Sequence, residues 1–115
     1  SRAEEYGLPI GERLRVTGRV KSVEDGLYER TFWLTGPDGS ATPVVLSRSA
    51  LDAYGPSDPG AVFCRSLKPG DYVSCFGTLN MSRGRVGRHW QVSPATPADL
   101  LAADEMIWKA DNAGN

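Results

Sequence analysis

Histidine and cysteine are scarce in this sequence, whose 115 residues include one histidine, His89, and two cysteines, Cys64 and Cys75. A single histidine excludes a multi-histidine metal site, and no histidine-paired nucleophile is recognisable. The carboxylates are scattered without a paired cluster, and the glycine pattern Gly84-x-x-Gly87 lacks the lysine of a phosphate-binding loop. The sequence therefore predicts a protein that is not an enzyme and that holds no metal or cofactor.

The few cysteines and the short apolar runs also bear on the compartment of the protein and on membrane contact. Two cysteines are too few for a disulfide framework, and their spacing fits neither a zinc ribbon nor a redox pair. Free thiols favour a reducing intracellular compartment, and we consider the mitochondrion and the nucleus. No apolar run approaches the ~20 residues that a membrane span requires, so we expect no membrane partner.

Charge of one sign is not in excess, because the formal net charge is −1. That value argues against a strongly basic nucleic-acid binder. The charge is nevertheless uneven along the chain. Residues 11–96 carry eleven basic against eight acidic residues, whereas residues 97–115 carry one lysine against four acids. The net charge is therefore a poor guide to any binding surface.

Five strands are predicted, the first, second and fourth from alternating apolar and polar residues and the third from a short apolar run. Leu14, Val16, Gly18 and Val20 alternate with basic and polar residues, which is the period of a strand with one buried face. A glycine on that buried face indicates a bend or a close backbone approach. The predicted strands cover about 13–23, 27–35, 42–47, 71–82 and 88–93, with a connector over 48–68 that contains a helical turn near 49–54.

The C-terminal segment has the signals of a helix. Thr96-Pro97-Ala98-Asp99 combines a capping residue, a proline in the first turn and an acid. We expect an amphipathic helix over 97–110 and a frayed tail at Asn112–Asn115. Its apolar stripe would consist of Leu100, Leu101, Met106, Ile107 and Trp108.

This order of elements is that of an OB-fold, a small five-stranded Greek-key barrel. We predict an all-β barrel over 13–96 with a short helical connector after the third strand, preceded by an irregular lead-in over 1–12 and followed by a C-terminal helix. An SH3-like barrel is the main alternative, but it does not explain the long connector after the third strand.

Four segments carry a recurring pattern: Val16–Val20, Phe32–Thr35, Leu67–Val73 and Phe76–Leu79. Together they resemble the single-stranded DNA-binding protein superfamily. In that superfamily a G-x-V first strand, an F-x-L second strand and a K-x-G-D-x-V-x-x-x-G-x-L fourth strand recur. The hairpin at Asp25-Gly26, followed by an F-x-L-T strand, also resembles the OB-fold proteins of the kinetoplastid RNA-editing complex. These resemblances imply binding of single-stranded DNA or RNA, and the second implies assembly with other OB-fold proteins in mitochondria.

The basic segment 83–88 is the first candidate binding site. It contains Arg83, Arg85 and Arg88 among glycines, and Trp90 follows. Single strands are held by cations along the phosphates and by aromatic faces on which bases stack. The loop between the last two OB strands is one place where nucleic acids lie. The alternative is a solvated hairpin with Trp90 packed inward.

Trp33 is the second candidate. Alternation places Phe32 inside the barrel and Trp33 outside, on a surface that OB-folds use for ligands. An outward tryptophan is expected to be covered by a base, by a partner or by the connector 48–68. Arg19 and Lys21, on the outer side of the first strand, would extend a phosphate track or form a solvated face.

The apolar stripe of the C-terminal helix is the candidate for protein binding. Leu100, Leu101, Ile107 and Trp108 would plug the barrel or pack on a partner helix, as a resemblance to replication protein A-type OB subunits implies. Two functions stay open. One is a non-catalytic module that binds single-stranded RNA or DNA within a larger complex. The other is a structural OB subunit that assembles with OB-fold proteins as a homo- or hetero-oligomer.

Overall fold

The computed structural model describes residues 11–84 and 87–113, and for residues 82–84 and 87–89 it describes the backbone alone. Most of the predicted lead-in and the last two residues of the predicted tail lie outside the described residues. The elements are β1 (Arg13–Asp25), β2 (Glu29–Thr35), β3 (Ala41–Ser47), α1 (Arg48–Asp52), α2 (Pro59–Ser66), β4 (Tyr72–Gly84), β5 (Gly87–Ser93), a 3-10 turn (Pro97–Asp99), β6 (Leu100–Ala102) and α3 (Glu105–Asn112).

The strands close into a barrel. β1 pairs with β2 and β2 with β3, both antiparallel, and β3 joins β5 through a parallel pair between Val44 and Val92. β5 is antiparallel to β4, and β4 returns to β1 over residues 72–78. The predicted five-stranded Greek-key barrel is confirmed. β6 is an additional short strand, and it pairs with residues 73–75 of β4.

A β-bulge in β1 changes which side chains face the core. The pairing with β2 passes over Lys21, which is the extra residue of the bulge. Val20 and Val23 therefore both pack in or against the core, although strict alternation would place them on opposite faces. Val23 pairs directly with Phe32, whose side chain is fully buried.

Gly18 provides the close approach that the sequence predicts. A Cβ atom at this position would lie 2.6 Å from Cβ of Leu34 on the neighbouring strand. Gly77 on β4 is equally crowded, since its Cβ would lie 2.7 Å from Cγ1 of Val92. Glycine at these two positions lets the strongly bent strands of a small barrel come together.

The connector contains more helix than the sequence analysis predicts. Residues 55–60 are expected to be a loop, but α2 begins at Pro59 and continues to Ser66. The side chain of Asp58 caps this helix by accepting a hydrogen bond from the Ala61 backbone N–H, and Pro59 occupies the first turn. α2 buries Ala61 and Cys64 against the core. In the described part of the chain, none of the helices is long and apolar enough to span a membrane.

The single helix predicted over 97–110 is wrong. The chain makes a 3-10 turn, then β6, and α3 begins only at Glu105, after the N-cap Asp104. Asp99 closes the turn, because its carboxylate accepts from the backbone N–H groups of Ala95 and Thr96. The segment that follows is extended because the open edge of β4 supplies its pairing partners, among them Cys75 opposite Leu100.

Candidate nucleic-acid interface

Trp33 lies on the outer face of the barrel, in the middle of β2. Its neighbours Phe32 and Leu34 are buried, whereas Trp33 is half-buried. Its cross-strand partners are Ser22 on β1 and Pro43 on β3. The alternation thus places Trp33 where the sequence predicts, and its contact with a ligand stays a prediction.

Two exposed cations stand near this tryptophan on β1. Arg19 and Lys21 line a shallow depression of about 360 Å³ together with Thr35 and the Pro69-Gly70 turn. Gly70 has a φ of +98°, a conformation that suits glycine. Among the described residues, neither Arg19 nor Lys21 forms an ion pair. Their charges are therefore available to an anion.

The outer face of β2 changes sign along its length. Arg19 lies opposite Thr35 at one end, whereas Glu24 lies opposite Thr31 towards the other end, where Glu29 is also exposed. The cationic part of this face is therefore confined to the end of β2 at Thr35.

The β4–β5 hairpin differs from the basic loop predicted over residues 83–88. Arg83 pairs with Arg88 and Gly84 with Gly87, so the strands continue almost to the tip. Arg83 and Arg88 belong to the ladder and not to a loop. Arg85 lies outside the described residues.

Trp90 pairs with Met81, and both side chains are half-buried. The next pair along the ladder on the same face is Leu79 with Val92, and both are buried. Trp90 therefore lies on the inward-facing side of the hairpin. This placement agrees with the alternative in which Trp90 packs inward, and not with an open face for base stacking.

A second outer surface is formed by β1 and β4. Arg15 pairs across the strands with Phe76, and Arg19 pairs with Tyr72. The guanidinium of Arg15 lies 5.9 Å from the centre of the Phe76 ring, a cation–π distance. Sequence reasoning did not single out these two aromatic residues, although their alternation with the core residues of the fourth strand was a usable signal.

Helix α3 lies across this second surface. The indole Nε1 of Trp108 donates to the Thr35 carbonyl at 2.9 Å, and the Trp108 ring is centred 5.4 Å from that of Tyr72. The carboxylate of Asp111 accepts from Arg15 at 2.8 Å and from the Thr17 hydroxyl. These contacts hold α3 on its own barrel.

The four residues predicted to form one partner-binding stripe do not lie together. Leu100 of β6 is buried in the core, whereas Leu101 on the same strand is 50% exposed. Trp108 packs on the barrel, and Ile107 is 38% exposed. The most exposed apolar side chain of α3 is Met106, at 79%.

Two exposed apolar residues at the tip of the β1–β2 hairpin were not recognised as candidates. Leu27 is 86% and Tyr28 is 83% exposed, because β2 begins only after them. The hairpin is braced by Asp25, which accepts from Arg30 at 2.7 Å and from Arg48 at 2.9 Å. The hydrogen bond from Arg30 holds the pKa of Asp25 below its ordinary value.

Solved structures with similar folds exist. An OBody, NL8, bound to hen egg-white lysozyme is 25% identical, with a TM-score of 0.60, and the match covers 83% of this chain and 97% of that one. A chain of the S. pombe Stn1-ten1 complex is 14% identical, with a TM-score of 0.66, covering 94% and 69%. Asparaginyl-tRNA synthetase from Pyrococcus horikoshii is 14% identical, with a TM-score of 0.61, covering 83% of this chain but 20% of that one.

This chain has the OB-fold. No protein-family model and no curated protein matches its sequence. The similarity to these structures establishes the fold alone, so a function has to be inferred from the exposed residues of this chain.

The interior of this OB-fold holds both thiols. Burial raises the pKa of Cys64 to about 11 and that of Cys75 to about 12, so both are protonated at neutral pH and poorly nucleophilic. Among the described residues, no group of three or more histidine, cysteine, aspartate or glutamate side chains could hold a metal ion.

Proposed function

We propose that this chain is a non-catalytic OB module that binds single-stranded nucleic acid across the outer face of β2 and along the β4–β5 hairpin. One observation carries the proposal. Trp33 faces outward from β2, and the neighbouring strand β1 carries Arg19 and Lys21, two exposed cations that form no ion pair with a described acid. Single-strand binding requires this combination of a stacking face and cations for the phosphates.

The hairpin supports the same ligand. Its register makes Arg83 and Arg88 direct cross-strand partners. Like charges at such positions destabilise a hairpin, and a bound polyanion would remove that cost. The face of strands two and three and the loop between strands four and five are the surfaces with which OB-folds bind oligonucleotides.

Anisotropy of labelled single strands, with a duplex as control, tests the proposal. Replacing Arg19 and Lys21 together with alanine should weaken binding at least tenfold at low salt. It should also flatten the slope of log affinity on log salt by about 1.4, since each phosphate contact contributes about 0.7. Lys109→Ala is the matched control, because it removes an exposed lysine of α3 that does not line the depression at Arg19 and Lys21. Equal effects of Lys21→Ala and Lys109→Ala would contradict a site at Arg19 and Lys21.

The hairpin is tested separately. Replacing Arg83, Arg85 and Arg88 with alanine should lower single-strand affinity at least tenfold at low salt and flatten the salt slope by about two. Unchanged binding by a folded triple variant would remove the hairpin from the site.

Assembly with other OB-fold proteins is the second candidate function, and the exposed apolar side chains favour it. Met106 on α3 and Leu101 on β6 are 79% and 50% exposed. The similar chain in the Stn1-ten1 complex is part of an assembly, which supports such a role for this barrel. Light scattering of wild type and Met106→Glu tests whether these side chains join copies of this chain. An assembly that the charge disrupts would support this candidate, and a monomer at all concentrations would contradict self-association.

A further inference from the structure

The outer surface of β1 and β4 carries cations opposite aromatic rings at two positions, which the Thr17–Ser74 pair separates. Arg15 and Arg19 of β1 lie opposite Phe76 and Tyr72 of β4, and Arg13 extends the row of cations by one position on the same face. From Arg13 to Arg19 the row spans six residues, or about 20 Å of strand. Cations that follow a line beside aromatic rings are the elements of a single-strand track.

Side chains of the C-terminal segment contact two of these arginines and one of these aromatic rings. The carboxylate of Asp99 lies 3.1 Å from the Arg13 guanidinium, and that of Asp111 lies 2.8 Å from the Arg15 guanidinium. The Trp108 ring packs against Tyr72. Carboxylates therefore pair with the two arginines, as the phosphates of a single strand would. An aromatic ring packs against the tyrosine, as a base would.

We propose that this surface is a second single-strand site, which the chain occupies with its own Asp99, Asp111 and Trp108. The choice of a single strand as ligand rests on the proposed function. The site itself is new, because it lies on β1 and β4 and not on the outer face of β2. A single strand that reaches from Lys21 towards Arg13 would compete with Asp99 for Arg13 and with α3 for Arg15.

The contacts of α3 are of a kind that a polyanion can replace. The Arg15 and Asp111 side chains are 46% and 31% exposed, and ion pairs this open contribute little and are screened by salt. α3 has eight residues and no buried side chain, and a helix of that length is marginal without its contacts. Its displacement would leave the core of the barrel intact.

The test compares two variants of the full chain that change the charge of α3 by the same amount. Asp111→Asn removes the carboxylate from Arg15 but keeps an oxygen that the Thr17 hydroxyl can donate to. Glu105→Gln removes a carboxylate that pairs with Lys109 on the same helix and, among the described residues, forms no ion pair with a barrel arginine. Binding of a long single strand is measured by anisotropy as a function of salt, and a thermal melt establishes that each variant is folded.

We expect Asp111→Asn to bind about eightfold more tightly at about 50 mM salt, with a salt slope steeper by about 0.7, the contribution of one phosphate contact. Glu105→Gln should change affinity less than twofold. In an Arg15→Ala background, Asp111→Asn should give no gain. Equal gains for the two helix variants, or a gain that survives Arg15→Ala, would overturn the second site.

The outcomes also separate this site from the face at Trp33. If wild type binds through Arg19 and Lys21 while Asp111→Asn changes nothing, the second site is refuted and the proposed function stands. If wild type fails to bind but Asp111→Asn binds through Arg15, the second site stands and the proposed function of the unaltered chain fails. If neither binds at low salt, both are refuted.

Discussion

Phe32 and Trp33 are adjacent in β2 but lie on opposite sides of the barrel wall, so alanine should affect them differently. Phe32 is fully buried, and its ring also lies 5.4 Å from the Arg30 guanidinium carbon. Removing a core phenylalanine typically costs about 3–5 kcal/mol. The free energy of unfolding of a domain is typically about 5–15 kcal/mol, so Phe32→Ala should remove a large fraction of it.

Trp33→Ala should cost only about 1–2 kcal/mol, since a half-buried outer side chain forfeits only part of its burial energy. It should instead weaken single-strand binding, because stacking on an aromatic residue contributes about 1–3 kcal/mol per base. Urea denaturation followed by far-UV circular dichroism measures stability in both variants without depending on tryptophan emission. At about 4 °C per kcal/mol for a domain of this size, the melting temperature should fall by about 12–20 °C for Phe32→Ala and by less than half of that for Trp33→Ala.

Thr31→Ala, on the same outer face of β2, is the control for a change of strand propensity alone, and it should cost less than about 1 kcal/mol. If Trp33→Ala destabilised the protein as much as Phe32→Ala, the outward placement of Trp33 would be wrong and the register of β2 would have slipped by one residue. If Trp33→Ala left binding unchanged in a folded protein, the proposed site would lose its stacking face.

Three further predictions concern the scaffold. Gly18→Ala should destabilise the barrel by about 1–3 kcal/mol, because its Cβ would overlap a β2 side chain, whereas Gly55→Ala, in open space, should be nearly neutral in the same melt. Asp25→Asn should lower stability at neutral pH. The hydrogen bond from Arg30 lowers the folded-state pKa of Asp25, so its contribution is present above 3.8, the ordinary value, and the gap in unfolding free energy from wild type should close in acid. Both thiols should resist a thiol reagent until urea unfolds the chain, and rapid labelling of the native protein would contradict their burial.

Strands β1, β2 and β4 were predictable because their apolar residues recur with a period of two, and β3 because it is a short apolar run after a turn signal. The exception lies within β1, where alternation alone would turn Val23 outward. The bulge at Lys21 restores it to the core. A bulge adds one residue to one strand of a pair, and nothing in a single strand's pattern reveals the register of its partner.

Helix α2 could have been predicted and was missed. Asp58 followed by Pro59 is a helix N-terminus signal, with a capping side chain and a proline in the first turn. The proline- and glycine-rich stretch around these residues obscured it. The run Ala61–Leu67 has the spacing of a helix with one buried stripe, since Ala61, Cys64 and Leu67 are all buried.

The C-terminal segment was not predictable in the same way, because its structure is decided by residues far away in sequence. Leu100 and Trp108 are eight positions apart, which fits one face of a helix. Leu100 nevertheless lies in a strand, because it pairs with the edge of β4. The ion pairs of Asp99 and Asp111 join residues 86 and 96 positions apart.

Charge counting along the sequence showed an acidic segment and a basic barrel, but only the topology shows which charges meet. Asp99 and Asp111 neutralise Arg13 and Arg15 at one end of β1. Among the described residues, Arg19 and Lys21 at the other end form no ion pair. Unpaired cations therefore lie on β1 where it pairs with the outward face of β2, although the formal net charge of the chain is −1. Because salt screens exposed ion pairs, the contacts of α3 and any single-strand binding should weaken together as salt rises. For that reason, competition between α3 and a single strand is best resolved at low salt.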